Sequence, residues 1–590
     1  MNRQDLKLDG IAASPGIAIG KAFVHRSERP AASLRRVPDY RVESEIQRFH
    51  AALSSVSEDM RRTRQRVEHE HGADLAMIFE AQRTMLDDMT MKDGTVDCIR
   101  SRNWSAERAF SATMAHLREG FEKIDNEYLR ARVGDLKDIE QQVLVHLAGG
   151  SLSGLQSARS NTVIFARELL PSEAAQLGRR LVKGLVTDVG GTTTHTSIIA
   201  RSLGLPTVVG TEKASRQVAA GDPVIVDGDR GTVHIRPDAA TVRYYRSQLR
   251  RQLRRERELS QRRDLPAVTR DGAEITLLAN VDLPQEIEQA VASGAHGVGM
   301  VRSEFLYLGY GLPSEAEQLD AYAQIVSAMA PLPVVIRTFD LGGDKLTHAV
   351  DSLPEDNPYL GWRGIRICLD TPELFKTQLR AILRAGTKGD ARILLPMISG
   401  LDEVRRARQM IAEVQQELRQ EGIAHQADCQ VGVMIEVPSA AITSEQLARE
   451  ADFFSLGTND LVQYTLAVDR GTARVANLYD PLHPAVLRLI KQVADNAQAA
   501  GIPVSICGEM AADPVAAVLL LGLGVRLFSV SPAQIPELKE VVRAADMATA
   551  QQVAGDSLAL TSGIEVRAHV EATMKQVFLT ARPPRQEEAP

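Results

Sequence analysis

Two groups of residues have types and spacings suited to chemistry. The first is Gly190-Gly191-Thr192-Thr193-Thr194-His195-Thr196-Ser197. It follows the apolar run Gly184–Asp188, which reads as a strand, and precedes Ile198, Ile199 and Leu203, which supply a helical apolar face ending at Gly204. The spacing therefore predicts a strand-to-helix turn with His195 in the first turn of the helix. Glycines let a phosphate approach the backbone, and the free N–H groups at the positive end of a helix favour a dianion. An imidazole that is neutral near pH 7 can attack phosphorus and carry the phosphoryl group covalently. The same local spacing also fits a glycine turn with a surface histidine.

The second group lies where successive strand-like runs end. It comprises Arg302 in Val301-Arg302-Ser303-Glu304, Arg337 in Ile336-Arg337-Thr338-Phe339-Asp340, and Arg363 in Gly361-Trp362-Arg363-Gly364. Glu436 follows Met434-Ile435, Asn459 and Asp460 follow Gly457-Thr458, and Cys507 follows Ser505-Ile506. Arg470 comes shortly after, in Val468-Asp469-Arg470. Guanidinium forks match carboxylate and phosphate oxygens bidentately, and a hard divalent cation such as Mg²⁺ takes one or two carboxylates plus substrate oxygens and water. Any one of these arginines also fits a structural ion pair. Their repetition at strand ends points to a small polyanion held together with a cation.

The elements that must position these groups follow from the pattern. In the second half, strand-like runs alternate with helical ones at Glu274–Leu278, Gly297–Val301, Val334–Arg337, Gly364–Ile367, Ile393–Pro396, Val431–Ile435, Phe453–Leu456 and Val504–Cys507. Eight such runs predict a (β/α)₈ barrel, whose chemistry sits where strands end and loops begin. Strand-like runs at Thr162–Phe165, Leu185–Thr187, Thr207–Val209, Pro223–Asp227 and Thr232–Ile235 predict a small α/β domain around His195, to which the first 25 residues add a strand. Between them, residues 42–147 have helical periodicity and no proline, which predicts a helical bundle. Its acidic residues Glu68, Glu70, Asp74, Glu80, Asp87 and Asp88 fit a solvated helix face, or a face for a basic partner. Arginine-rich residues 237–264 predict a long polar linker helix.

Composition narrows the function. A chain of 590 residues with 44% hydrophobic and 25% charged residues is a multidomain globular protein. The net charge of −7 gives no reason to expect nucleic acid or an anionic membrane as partner. The four cysteines are far apart without a CxxC spacing, which fits free thiols in a reducing, cytoplasmic compartment. No signal-like apolar stretch opens the chain.

The sequence closely resembles the enzyme I family of the bacterial sugar phosphotransferase system, the phosphoenolpyruvate–protein phosphotransferases. The resemblance is carried by Ser14–Ala18, Asp125–Leu129, Gly190–Ser202, Asn357–Arg363, Phe454–Arg470 and Cys507–Ala511. It implies a swivelling phosphohistidine domain (1–25 and 148–236), an inserted helical domain (26–147) that docks the phosphocarrier protein HPr, and the linker helix. It further implies a phosphoenolpyruvate-binding barrel (265–575) that forms a homodimer, with a disordered tail at 576–590. By position, His195 resembles the phosphorylated histidine. Arg302, Arg337, Arg470, Asn459 and Asp460 match phosphoenolpyruvate contacts, and Arg363 and Lys345 join the same anion site. Glu436 and Asp460 match Mg²⁺ ligands, and Cys507 matches the acid that protonates C3 of the enolate. Two positions depart from the family pattern. Thr192 stands where arginine is common, and Leu170 stands where threonine precedes Pro-Ser-Glu. A dikinase or synthase that also uses phosphoenolpyruvate would need a large nucleotide-grasping domain, for which residues 42–147 are too short.

Overall fold

The computed structural model describes residues 5–25, 35–71, 79, 82–122, 133–149, 161–174, 182–191, 195–261, 263–307, 312–340, 342, 357–469, 472 and 474–581. The chain divides into two compact units, Met1–Arg255 and Glu256–Pro590.

The first unit contains one eight-stranded sheet built from both ends of the segment. Its strands are β1 (Leu6–Asp9), β2 (Ile11–Ser14), β3 (Ile17–His25), β4 (Thr162–Ala166), β5 (Val182–Thr187), β6 (Thr207–Val209), β7 (Pro223–Asp227) and β8 (Thr232–Ile235). They lie in the order β1-β8-β7-β3-β4-β5-β6-β2. The first 25 residues thus supply three strands rather than the one expected. At the centre, β3, β4, β5 and β6 are parallel, while β7 and β8 add antiparallel pairs. Every residue of β4 is buried, as a near-continuous apolar run in a two-sided sheet requires. Ile164 and Leu185 pack on the face that receives Ile199 and Leu203, and Phe165 and Val186 pack on the other with Val226.

Between β3 and β4 the helices Val42–His71, Met89–Arg102, Ala106–Glu122 and Val133–Leu147 form the expected bundle. Phe49, Val56, Ile99, Phe110, Ile139 and Val143 are fully buried in its core. Asp74, Glu80 and the segment Asp125–Leu129 lie outside the described residues.

Buried carboxylates join the bundle to the segment after β4: Glu173 accepts from Gln141 Nε2 at 3.4 Å and pairs with His25 at 3.0 Å, and Asp138 reaches across from the bundle. Asp138 accepts hydrogen bonds from Ser172 Oγ at 2.5 Å, Ser172 N at 3.0 Å, Gln82 Nε2 at 3.1 Å and Gln142 Nε2 at 3.1 Å. Burial pushes its carboxyl up to about 6 from 3.8, although all four donors oppose the shift. A folded-state value above the unfolded one contributes stability that is present below pH 3.8 and lost as pH rises through about 6. Relative to Asp138→Asn, which cannot titrate, the wild type is therefore expected to lose up to roughly 3 kcal/mol over that window. Denaturant unfolding of both proteins at pH 4.5 and 7.5 measures the difference. A gap between them that does not change with pH would remove the basis for this expectation.

The helix Ala239–Gln261 forms where a linker helix is expected. The second unit is a closed barrel of eight parallel strands: β9 (Thr276–Val281), β10 (Val298–Arg302), β11 (Pro333–Arg337), β12 (Asp390–Leu395), β13 (Val431–Ile435), β14 (Phe453–Leu456), β15 (Val504–Ile506) and β16 (Leu527–Val530). The count of eight agrees with the sequence reading, but one member does not. Gly364–Ile367 is no strand: after Gly364, at φ +60°, the chain enters the helix Ile365–Asp370 with Ile365, Ile367, Cys368 and Leu369 buried. Ile365-Arg366-Ile367 alternates apolar and polar, so a run this short reads alike as helix or strand. The true eighth strand, β16, pairs with β15 and closes the barrel on β9. It is masked in the sequence because the preceding helix Pro514–Leu523 is itself apolar throughout and stops only at Gly524, φ +111°. The last helix, Gly563–Ala581, continues past residue 575, so the first part of the expected tail is helical. Among the described residues no helix is long and apolar enough to cross a membrane.

Candidate active site

His195 opens the helix Ser202 ends, as the first residue of His195–Ser202. Thr196 Oγ1 donates to Leu169 O at 2.6 Å and Ser197 Oγ to Gly191 O at 2.7 Å, so two hydroxyls pin this helix start to the loops beside it. Gly190 has φ +134°, a conformation other residues rarely adopt. Leu170 is buried, and its N–H donates to Glu173 Oε2 at 3.0 Å. Thr192 lies outside the described residues.

In the barrel, the strand ends converge. Arg302 and Arg337 are the last residues of β10 and β11 and stand in register. Glu436 follows β13, Asn459 and Asp460 sit in the first turn of Thr458–Leu466 after β14, and Cys507 follows β15. These six side chains and Arg363 line one cavity of about 460 Å³. Seven of the nine barrel residues singled out in the sequence therefore meet, while Lys345 and Arg470 lie outside the described residues.

The guanidiniums are held by carboxylates. Arg337 pairs with Glu304 at 2.6 Å and Asp340 at 2.9 Å, and Arg363 with Asp340 at 2.9 Å and Asp460 at 3.4 Å. Arg302 pairs with Asp282 at 3.2 Å. Burial works against the charge of Arg337 and Arg363, but the neighbouring carboxylates outweigh it and raise both. Asn459 and Glu509 hold each other: Asn459 Nδ2 donates to Glu509 Oε1 at 3.3 Å, and Glu509 N donates to Asn459 Oδ1 at 3.0 Å. Glu304 and Asp340 were not singled out in the sequence. The signal was their position two and three residues after Arg302 and Arg337.

Five carboxylates line the cavity, Glu304, Asp340, Glu436, Asp460 and Glu509, and of these Glu436 and Asp460 could supply oxygens to a divalent cation. Glu436 is 1% exposed, and its Oε1 accepts from Met397 N at 2.6 Å. A Cβ on Gly457 would stand 2.7 Å from Oε2, so the glycine leaves that oxygen room. Burial, then the like charges of Asp340 and Asp460, raises the Glu436 carboxyl well above its usual range. A hard cation between such carboxylates would relieve both effects, so the residues fit a divalent cation. Among the described residues no cluster of three or more His, Cys, Asp or Glu forms a metal cage.

Cys507 is 3% exposed and sits on an apolar floor with Met300, Leu394, Met434 and Phe453. Its thiol receives a hydrogen bond from Ser455 Oγ at 3.2 Å and faces Leu456 O at 3.5 Å. Burial pushes it up to about 11. All four cysteines are free.

Comparison with known proteins decides the family. Residues 9–132, 158–231 and 256–547 match, in turn, the N-terminal, mobile and PEP-binding domains of PEP-utilising enzymes. The chain is 41% identical over 567 residues to the phosphoenolpyruvate-protein phosphotransferase of Bacillus sp. (strain S), covering 96% of this chain and 98% of that one. The protein of the same name from Haemophilus influenzae is 40% identical over 565 residues, again 96% and 98%. The chain belongs to the phosphoenolpyruvate-protein phosphotransferase family. It is thus a phosphotransferase of the PEP-utilising class, with the barrel cavity inside the segment that matches the PEP-binding domain and His195 inside the segment that matches the mobile domain.

Proposed function

We propose that the protein transfers the phosphoryl group of phosphoenolpyruvate to its own His195 and then to the histidine phosphocarrier protein HPr, releasing pyruvate as the first step of the sugar phosphotransferase system. The observation that carries this reading is the barrel cavity, where three guanidiniums, two carboxylates suited to a cation and a protonated thiol line one space.

Arg302, Arg337, Arg363 and Asn459 grip the substrate carboxylate and phosphate, with Arg470 and Lys345 completing the anion site. Glu436 and Asp460 would hold Mg²⁺, which when bound would supply positive charge beside the anion site. The Nε2 or Nδ1 lone pair of His195 attacks phosphorus in line, the N–P bond forms, and the bond to the enol oxygen breaks. The departing enolate takes a proton from the Cys507 thiol at C3 and becomes pyruvate, and water returns the proton to sulfur. Phospho-His195 must then reach HPr docked on the helical domain, so residues 1–25 and 148–236 swivel on the linker helix 237–264 between donor and acceptor. The working form is a cytoplasmic homodimer joined through the barrel.

Incubation with radiolabelled phosphoenolpyruvate, Mg²⁺ and purified HPr is expected to place acid-labile label on both proteins. Chelation of the cation with EDTA should reduce labelling to background, with recovery on adding Mg²⁺. Consumption of ATP without any need for HPr would point to a dikinase-type enzyme instead.

A further inference from the structure

We infer that Asp340 is a positioning residue whose single buried carboxylate sets the spacing of the Arg337 and Arg363 guanidiniums; this rests on the function proposed above. Its side chain is only 4% exposed and both oxygens are engaged. Oδ2 pairs with Arg337 Nη1 at 2.9 Å. Arg363 Nη2 reaches Oδ1 at 2.9 Å and Oδ2 at 3.0 Å, and Arg363 Nε reaches Oδ1 at 3.2 Å. One carboxylate thus bridges two cations that both line the cavity.

The backbone on each side is built to keep this bridge in place. Asp340 follows Thr338, whose N–H donates to Leu394 O at 2.9 Å, and the buried Phe339, whose N–H donates to Gln378 Oε1 at 3.1 Å. Gln378 in turn donates to Ser303 Oγ at 3.1 Å, and Ser303 Oγ donates to Arg337 O at 2.9 Å. Arg363 arrives through Gly364, at φ +60°, where a Cβ would lie 2.9 Å from Met397 Cβ and 3.4 Å from Asp340 Oδ1. The close approach of Arg363 to Asp340 therefore needs glycine at 364.

Two consequences follow for the site. Arg337 has Nη1 on Asp340 and Nη2 on Glu304, so two carboxylates fix its guanidinium at the cavity wall. Arg363 is held more closely by Asp340 than by Asp460, which it reaches only at 3.4 Å. Without Asp340, Arg363 would be free to settle on Asp460 and compete with the cation for that carboxylate. Preformed guanidiniums also spare the substrate the cost of ordering two long side chains.

The test is Asp340→Asn in the full-length protein. KM for phosphoenolpyruvate should rise at least about tenfold and kcat should fall, the loss expected when hydrogen bonds to charged groups are misplaced. Two readouts separate positioning from general damage. Phosphoryl uptake from phospho-HPr, which uses only His195, should stay at the wild-type rate, and calorimetric Mg²⁺ affinity should weaken. Wild-type KM and kcat in this variant would overturn the inference, and so would an equal loss of uptake from phospho-HPr. Should Asp340→Asn not fold, Asp340→Glu keeps the charge and shifts both anchors. A raised KM with a native melting curve then supports positioning, and a wild-type KM rejects it. A wild-type protein that takes no label from phosphoenolpyruvate would count against the proposed function, not against Asp340.

Discussion

Replacement of His195 by alanine is expected to abolish transfer of label from radiolabelled phosphoenolpyruvate to the protein. In the proposed reaction the phosphoryl group is bonded to the imidazole itself, so its removal leaves nothing to carry the group between donor and acceptor. The expected loss is complete, because no partial substitute exists for a covalent carrier. Phosphoenolpyruvate binding should survive, since the residues that line the anion cavity all lie between Met300 and Glu509, in the other unit. Calorimetric titration of the variant with phosphoenolpyruvate and Mg²⁺ should therefore give near-wild-type affinity. Folding should survive as well, because the helix start is pinned through Thr196 and Ser197. Label that persists in the variant would show that another side chain is the acceptor.

Much of this could be read from residue order, and the exceptions have physical causes. β6, β7 and β14 stand where period and turn residues put them, because each is an apolar run bounded by glycine, proline or aspartate. The helix at Ile365–Asp370 could not be told from a strand, since Ile365, Arg366 and Ile367 alternate apolar and polar and six residues are too few to show the helical period. The site was legible as a set of strand-end residues, since barrel topology brings such positions together whatever lies between them. The partners of those residues were not. Asp340 reads as an ordinary polar residue after a strand until the fold sets Arg363 beside it, 23 positions further on. Ion pairs between loops depend on tertiary approach, which local pattern does not encode.

The thiol of Cys507 shows how the fold changes chemistry that the sequence only permits. An ordinary cysteine near 8.5 is already mostly protonated at pH 7, whereas burial on the apolar floor pushes this one up to about 11. Roughly one molecule in 10⁴ then carries a thiolate at neutral pH. The acid form is thus nearly always present, and its conjugate base is strong enough to recover a proton from water. Cys507→Ala is expected to bind phosphoenolpyruvate as the wild type does, because the guanidiniums and carboxylates are untouched. Pyruvate formation should slow by about 10²- to 10⁴-fold, the usual contribution of a positioned general acid. The pH profile gives a second check with a definite sign. An acid must be protonated to act, so activity linked to Cys507 should fall only as pH rises towards about 11, leaving the range from 7 to 9 flat for this group. A decline centred near 8.5 that disappears in Cys507→Ala would mean the thiol is solvated rather than buried. A pyruvate rate unchanged by the substitution would mean that C3 takes its proton from elsewhere.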